Sequence, residues 1–304
     1  MKKGIGGWKA IALATFLSAT LPAVRAAQEG QPTGNVRYTE PVKIAELENR
    51  AITESSGLAP SRRREGVFWT HNDSGDRPRL FAFDTAGRHL STLLLRGARA
   101  VDWEDMASVR RNRTNYLLCG DIGDNERKRE TCTIYVVEEP ALPDQPGDHK
   151  KTLRPTRSIV YRYEDGPRDC ESLAVDPTEE RILLVSKVMG LRCTIYSLPL
   201  LPEEQKEPVQ AEAIARLTLP PATGMDISPD GHRAVIVTYE AAYEYVRAVK
   251  EDWETAFGRA PQRIPAPPRA QGESICYGPD GRTLYLTSER LPTPLWEIEP
   301  TETP

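Results

Sequence analysis

The feature that most constrains this chain is a short motif that recurs five times. Each copy has an acidic or polar residue, a small or acidic pair, an apolar residue and a small one. The copies are Glu54-Ser55-Ser56-Gly57-Leu58-Ala59, Asp102-Trp103-Glu104-Asp105-Met106-Ala107, Asp169-Cys170-Glu171-Ser172-Leu173-Ala174, Thr223-Gly224-Met225-Asp226-Ile227-Ser228 and Gln271-Gly272-Glu273-Ser274-Ile275-Cys276. Each is followed by a turn signal and then an apolar run. Ser228-Pro229-Asp230-Gly231 leads into 234–238, and Gly278-Pro279-Asp280-Gly281 leads into 283–287. Proline presets φ and glycine accepts φ > 0, so these are hairpin signals with a mechanism. A third strand follows in each repeat, at 80–83, 133–137, 194–198, 243–246 and 295–298. Cys-Thr-Ile-Tyr occurs at both 132–135 and 193–196. A fourth, outer strand reads at 89–95, 158–163, 213–219 and 262–265. The last repeat lacks its own, and 42–47 can supply it by pairing the two chain ends. Four-stranded units at spacings of roughly 50 to 70 residues predict an all-β chain with a single β-propeller of five four-stranded blades over 36–300, closed by the N-terminal strand. The competing architecture is an irregular β-sandwich. Helical periodicity is confined to 247–257, and the Pro-rich stretches 140–155, 199–208 and 261–268 read as loops.

The N-terminus reads as an export signal. Lys2, Lys3 and Lys9 precede an apolar stretch at 11–21 that is too short to span a bilayer, and Val24-Arg25-Ala26 has small residues where a signal peptidase reads. The expectation is a signal peptide over 1–26, a flexible segment over 27–35, and a mature chain in the periplasm or outside the cell. No later run is long enough for a membrane helix. Loss of 1–26 removes four of the 40 basic side chains and none of the 44 acidic ones, leaving a net −8. That disfavours nucleic acid, which needs a basic footprint. The expected partner is a small-molecule or protein ligand of a monomeric protein.

Propeller geometry turns the repeats into a site. The start of each innermost strand and the end of the antiparallel second strand fall at the same end of the channel. Strand-one starts carry Glu54, Asp102, Glu104, Asp105, Asp169, Glu171, Asp226 and Glu273. Strand-two ends carry His71-Asn72-Asp73-Ser74-Gly75-Asp76, Gly120-Asp121-Ile122-Gly123-Asp124-Asn125, Lys187, Glu240 and Glu289. Two carboxylates ~4 Å apart repel by ~4 kcal/mol at an effective dielectric near ~20, so converging acids call for a cation, a lysine or protonation. An all-oxygen set suits a hard ion, calcium first and magnesium behind it. The expected metal ligands are Glu54, Asp102, Glu104, Asp121, Asp169, Glu171 and Glu273. Asn72, Asp76, Asp124, Asn125, Lys187 and Glu289 are expected to meet a ligand. Asp and Asn before Gly also form turns and caps, and both roles stay open for each residue. His71 is the only histidine at this mouth; it or Asp73 is the candidate to activate water, against a purely hydrogen-bonded role for the imidazole. Ser55 and Ser56 lack a nucleophile elbow. Cys119 and Cys132 flank one loop and could bridge it, which the exported setting permits.

The runs Glu54-Ser55-Ser56-Gly57-Leu58, Thr70-His71-Asn72-Asp73-Ser74-Gly75-Asp76, Asp102-Trp103-Glu104-Asp105, Gly120-Asp121-Ile122-Gly123-Asp124-Asn125 and Gly272-Glu273-Ser274 resemble a group of bacterial exported propellers. More distantly, they are similar to the SdiA-regulated and phytase-like esterase propeller families. The resemblance covers nearly the whole mature chain. It implies the fold and the acidic mouth, and its phytase-like side implies calcium and phosphate-ester chemistry. The chain departs from propeller phytases in offering only Lys187, Arg127 and Arg290 as phosphate-binding cations at that mouth. The expected function is a calcium-binding propeller that binds a ligand or partner. The alternative is a metal-dependent hydrolase of phosphate or carboxylic esters.

Overall fold

Short apolar runs separated by turn residues make strands. The computed structural model, which describes residues 36–202, 206–268 and 271–301, is accordingly all-β. Twenty of its strands fall into five antiparallel units of four, and Arg37–Tyr38 pairs separately with Pro300–Thr301. Unit one is Ser55–Pro60, Val67–Asn72, Arg79–Asp84 and His89–Leu95. Unit two is Trp103–Arg111, Thr114–Asp121, Cys132–Glu138 and Arg157–Tyr163. Unit three is Cys170–Asp176, Arg181–Ser186, Cys193–Pro199 and Val209–Leu217. Unit four is Ala222–Ile227, Arg233–Thr238, Ala241–Val246 and Gln262–Pro265. Unit five is Ser274–Tyr277, Leu284–Thr287 and Pro294–Ile298, completed by Val42–Glu46 from the other end of the chain. The register Val42↔Glu297 and Glu46↔Pro294 joins the two ends. The first strands of units one to five neighbour one another in a closed cycle, the last against the first, which is a propeller-like arrangement.

The core lies between adjacent units, because each strand alternates its side chains between the two faces of its sheet. Leu117, Cys119, Tyr135 and Val137 pack toward Trp69 and Leu80 of unit one. Leu118, Cys132, Ile134 and Val136 pack toward Leu173 and Leu184 of unit three. Each fully buried side chain of this kind contributes roughly 1.5–3 kcal/mol. The same alternation rules out the expected Cys119–Cys132 bridge. The two thiols lie on opposite faces of one sheet, in different core clusters, and both are free and buried.

Three local features differ from expectation. The stretch 140–155 contains a strand, Lys150–Leu153, which pairs in parallel with His89–Leu95. The outer strands Arg157–Tyr163 and Val209–Leu217 also pair in parallel, joining units two and three. The helix is confined to Trp253–Phe257. Lys250 has φ +67°, which a right-handed helix cannot include, and Asp252 caps the start by accepting from Thr255 N at 2.7 Å. No helix of the described residues is long and apolar enough to cross a membrane. The expected signal peptide, 1–26, and the segment 27–35 lie outside the described residues.

Candidate functional site: an acidic channel mouth

The inner strands do not run straight at their starts. The register slips between Ser55 and Gly57, between Trp103 and Met106, between Cys170 and Leu173, and between Ala222 and Gly224. A bulge inserts residues without partners and re-aims their side chains. Glu104 and Asp105 occupy one bulge, and Glu171 and Ser172 another. Glu273 stands one residue before Ser274, where the fifth inner strand begins. The second strands deliver Asp73, Lys187 and Glu289 to the same end, and Asp73 N donates to Glu54 O at 3.0 Å.

Two overlapping triads of carboxylates result. Asp73, Asp102 and Glu104 can bring one oxygen each to within 4.8 Å of the others, and so can Asp73, Glu273 and Glu289. Asp73 belongs to both and is partly exposed, whereas Glu104 and Glu273 are 3% and 5% exposed. The electrostatics follow from that crowding. Burial, then the charges of Glu171, Asp73 and Asp102, hold the Glu104 carboxyl well above the usual range. Burial and Glu289 do the same to Glu273. Burial and Asp73 push Asp102 up to about 6. Glu54 is also raised, by burial and by Glu289 and Asp73. Glu171 is raised by burial, with Lys187 opposing. Lys187 Nζ donates to Glu171 Oε1 and, at 3.1 Å, to the Tyr239 hydroxyl, which donates to Glu273 Oε1 at 3.4 Å. Glu171 Oε2 is buried and has no hydrogen-bond partner among the described residues. A crowded cluster of acids with one unsatisfied buried oxygen is the donor set a hard divalent cation would complete.

Gly123 closes one wall. A Cβ there would lie 2.4 Å from Glu104 Oε1 and 2.5 Å from Asp102 Oδ2. Gly123→Ala is therefore expected to push both carboxylates aside and weaken cation binding ~10-fold or more, about 1.4 kcal/mol. The melting temperature in chelator should change little. Calcium titration of wild type and variant checks this.

Other expected site residues are held in structural bonds. Asp121 pairs with Arg129 at 2.9 Å and accepts from Asp102 N at 3.0 Å. Asp124 accepts from Lys128 N and Arg129 N, and Asp169 accepts from Asp124 N at 3.0 Å. Asn72 spends its amide on Thr53 N, Glu54 N, Ala51 O and Asp76 Oδ2, and Asp76 pairs with Arg79 at 2.8 Å. Asn125 is exposed on its loop. His71 is corrected outright. It is wholly buried against Trp103, with Nδ1 3.0 Å from Asn72 O and Nε2 unpartnered. Burial pushes it below the usual range and keeps the ring out of reach of solvent, so it is a core residue and not a group of the open mouth. Asp226 lies near the far end of its strand, where it accepts from Tyr277 N at 2.8 Å. Unit four gives the mouth no acid from its strand start.

Two roles escaped the sequence. Tyr239 links Lys187 to Glu273, and its position directly before Glu240 was the available signal. Asp105 holds the ring together from within. Its Oδ1 accepts from Met106 N at 2.8 Å, and its Oδ2 from Leu173 N at 2.8 Å and Met225 N at 3.0 Å. One buried carboxyl thus ties the inner strands of units two, three and four.

No family model matches the chain, and no curated protein matches it. Among solved structures, it is similar to a gluconolactonase from Xanthomonas campestris, with 11% identity and a TM-score of 0.48. The match covers 86% of this chain and 89% of that one. A likeness at that level assigns no activity to this chain.

Proposed function

We propose that the protein is an exported five-bladed propeller that holds a divalent cation, calcium by preference, at its acidic mouth. In this reading the cation serves hydrolysis of a neutral carboxylic ester. The observation that carries it is the placing of Asp73: a partly exposed carboxylate shared by two triads whose other members include the buried Glu104 and Glu273. Asp73, Asp102, Glu104, Glu273 and Glu289 would hold such an ion, and the exposure of Asp73 would leave it open to a substrate. When bound, it would polarise the ester carbonyl. Glu171, with its unpartnered Oε2, would add a further oxygen to the ion. Lys187 neutralises part of the cluster and orients Glu171.

The charge of the mouth favours a neutral substrate over a phosphate ester. Of the three cations expected there, Lys187 is already paired with Glu171, which leaves only the exposed Arg127 and Arg290 against the acids of the mouth. Met189, Leu191, Tyr239 and Leu291, all exposed, sit on loops that follow second strands, on the same end of the channel. They offer an apolar rim to an acyl or alkyl group.

The test combines melting and turnover. Millimolar calcium is expected to raise the melting temperature over that in chelator; a ligand at ~100 times its Kd contributes about 2.7 kcal/mol. Hydrolysis of 4-nitrophenyl acetate should exceed that of 4-nitrophenyl phosphate and stop in chelator. Asp73→Asn should lower turnover ~100-fold while leaving the metal-free protein folded. A calcium shift without turnover of either ester leaves a cation-stabilised binding protein. No shift and no turnover removes both readings.

A further inference from the structure

One turn at the opposite end of the channel is rich in arginine. The turn between the first two strands of unit one is Ser61-Arg62-Arg63-Arg64-Glu65-Gly66. With Arg110 of unit two, it lines a cleft of about 600 Å³ that Phe68 and Tyr285 also line. We propose that this cleft binds a small ligand bearing an oxyanion, a carboxylate or a phosphate, held by the guanidinium groups with its apolar part on the Tyr285 ring. This does not depend on the cation reading.

The turn is fastened before any ligand arrives. Glu139, wholly buried at the end of unit two's third strand, accepts from Arg62 N at 3.0 Å, from Trp69 Nε1 at 3.0 Å and from the Ser61 hydroxyl. Ser61 Oγ accepts from Arg63 N at 3.2 Å and Arg64 N at 3.1 Å, and Asn115 Nδ2 donates to Arg62 O at 3.0 Å. Ordering such donors in advance removes part of the entropic cost of binding.

The guanidinium groups keep most of their charge. Arg62 donates to Ser108 O at 3.1 Å and Arg64 to Pro143 O at 3.0 Å, both neutral carbonyls. Arg110 is exposed and has no side-chain hydrogen bond or ion pair among the described residues. Among the described residues, Arg63 is the one of the four whose guanidinium meets a side-chain carboxylate, Glu138, at 3.5 Å. Arg62 is also close enough to the buried Asp226 to oppose the rise that burial gives it. In a chain of net charge −4, this is a local excess of cations. Planar guanidinium forks match the paired oxygens of carboxylate and phosphate, which a backbone carbonyl cannot replace. The partly exposed Tyr285 ring, backed by the buried Phe68 at 4.6 Å between centroids, gives an aromatic wall beside them.

The experiment is calorimetric titration of the mature chain with citrate and, separately, with inorganic phosphate, repeated on the double variant Arg64→Gln, Arg110→Gln. Arg110 is exposed and Arg64 half-buried with one hydrogen bond to Pro143 O, so a melting curve of the variant is recorded beside the titration to separate lost binding from lost fold. The expected result is one site per chain for at least one anion, weakened ~10-fold or more in the variant. Binding of citrate alone or phosphate alone supports the proposal and names the group recognised. Absence of binding by both, or equal binding by the variant, overturns it. A glutamate-rich peptide that binds where neither small anion does also overturns it, in favour of a protein partner.

Discussion

Replacing Asp105 with alanine is expected to destabilise the protein by about 3–5 kcal/mol, the largest effect of any single substitution considered. The carboxyl accepts three backbone N–H groups from three inner strands, and a buried N–H left without a partner costs roughly 1–3 kcal/mol. Removing the carboxyl also relieves a burial cost, since burial holds this group well above its usual range. The three donors outweigh that relief, because each would otherwise face a channel wall with no acceptor. At roughly 2–4 °C per kcal/mol for a chain of this size, the melting temperature should fall by about 10 °C. Asp105→Asn separates the causes. Its single oxygen can still serve Leu173 N and Met225 N, but its NH2 would face Met106 N. It should retain roughly half of the loss seen in alanine. Thermal or urea unfolding of both variants decides the matter. A shift under 2 °C in Asp105→Ala would refute the tie (on the same scale, roughly half a kcal/mol).

The second large effect is a dependence of stability on pH that calcium reverses. Asp102, Glu104, Glu171 and Glu273 all have carboxyls raised above the ordinary range, with Asp102 at about 6. A raised acid binds its proton more tightly in the folded state than in the unfolded one. Below the ordinary carboxylate range both states are protonated, and nothing is lost. As pH climbs from there through about 6 for Asp102, and further for the three glutamates, the folded protein must give up protons it holds tightly. Stability therefore falls as pH rises. Melting in chelator should drop by several degrees between pH 5 and pH 8. A bound divalent ion takes the place of those protons, so with millimolar calcium the slope should flatten or change sign. Parallel slopes with and without calcium would remove the ion from this mouth.

How far these features were legible in the sequence depends on their range. The repeats, the Pro-Asp-Gly hairpins and the pairing of Val42–Glu46 with Pro294–Ile298 were readable, because turn chemistry and period-two patterning are local. The bulges were not. Whether Glu104 turns into the channel depends on a register slip against Thr114–Asp121, and one residue of slip exchanges the faces of a strand. The same slip misplaced Asp226, which shares its motif with Glu104 and Glu171 but sits one residue further along, level with Asp105. Asp121, Asp124 and Asp169 look like ligands in the sequence because a carboxylate shows no sign of its partner. Only the fold brings Arg129 and the nearby amides to them. Lys150–Leu153 stayed hidden for another reason: its exposed, lysine-rich face has no apolar alternation to read.

The way the two chain ends meet has a consequence for how the protein is made. Val42–Glu46 leaves the ribosome about 250 residues before the strand it must join. A strand made at the start must therefore wait for the end of the chain, as must Arg37–Tyr38 for Pro300–Thr301, and the long separation makes that step slow. Until then the fifth sheet has an open edge, so the nascent molecule depends on whatever keeps unpaired strands apart during synthesis.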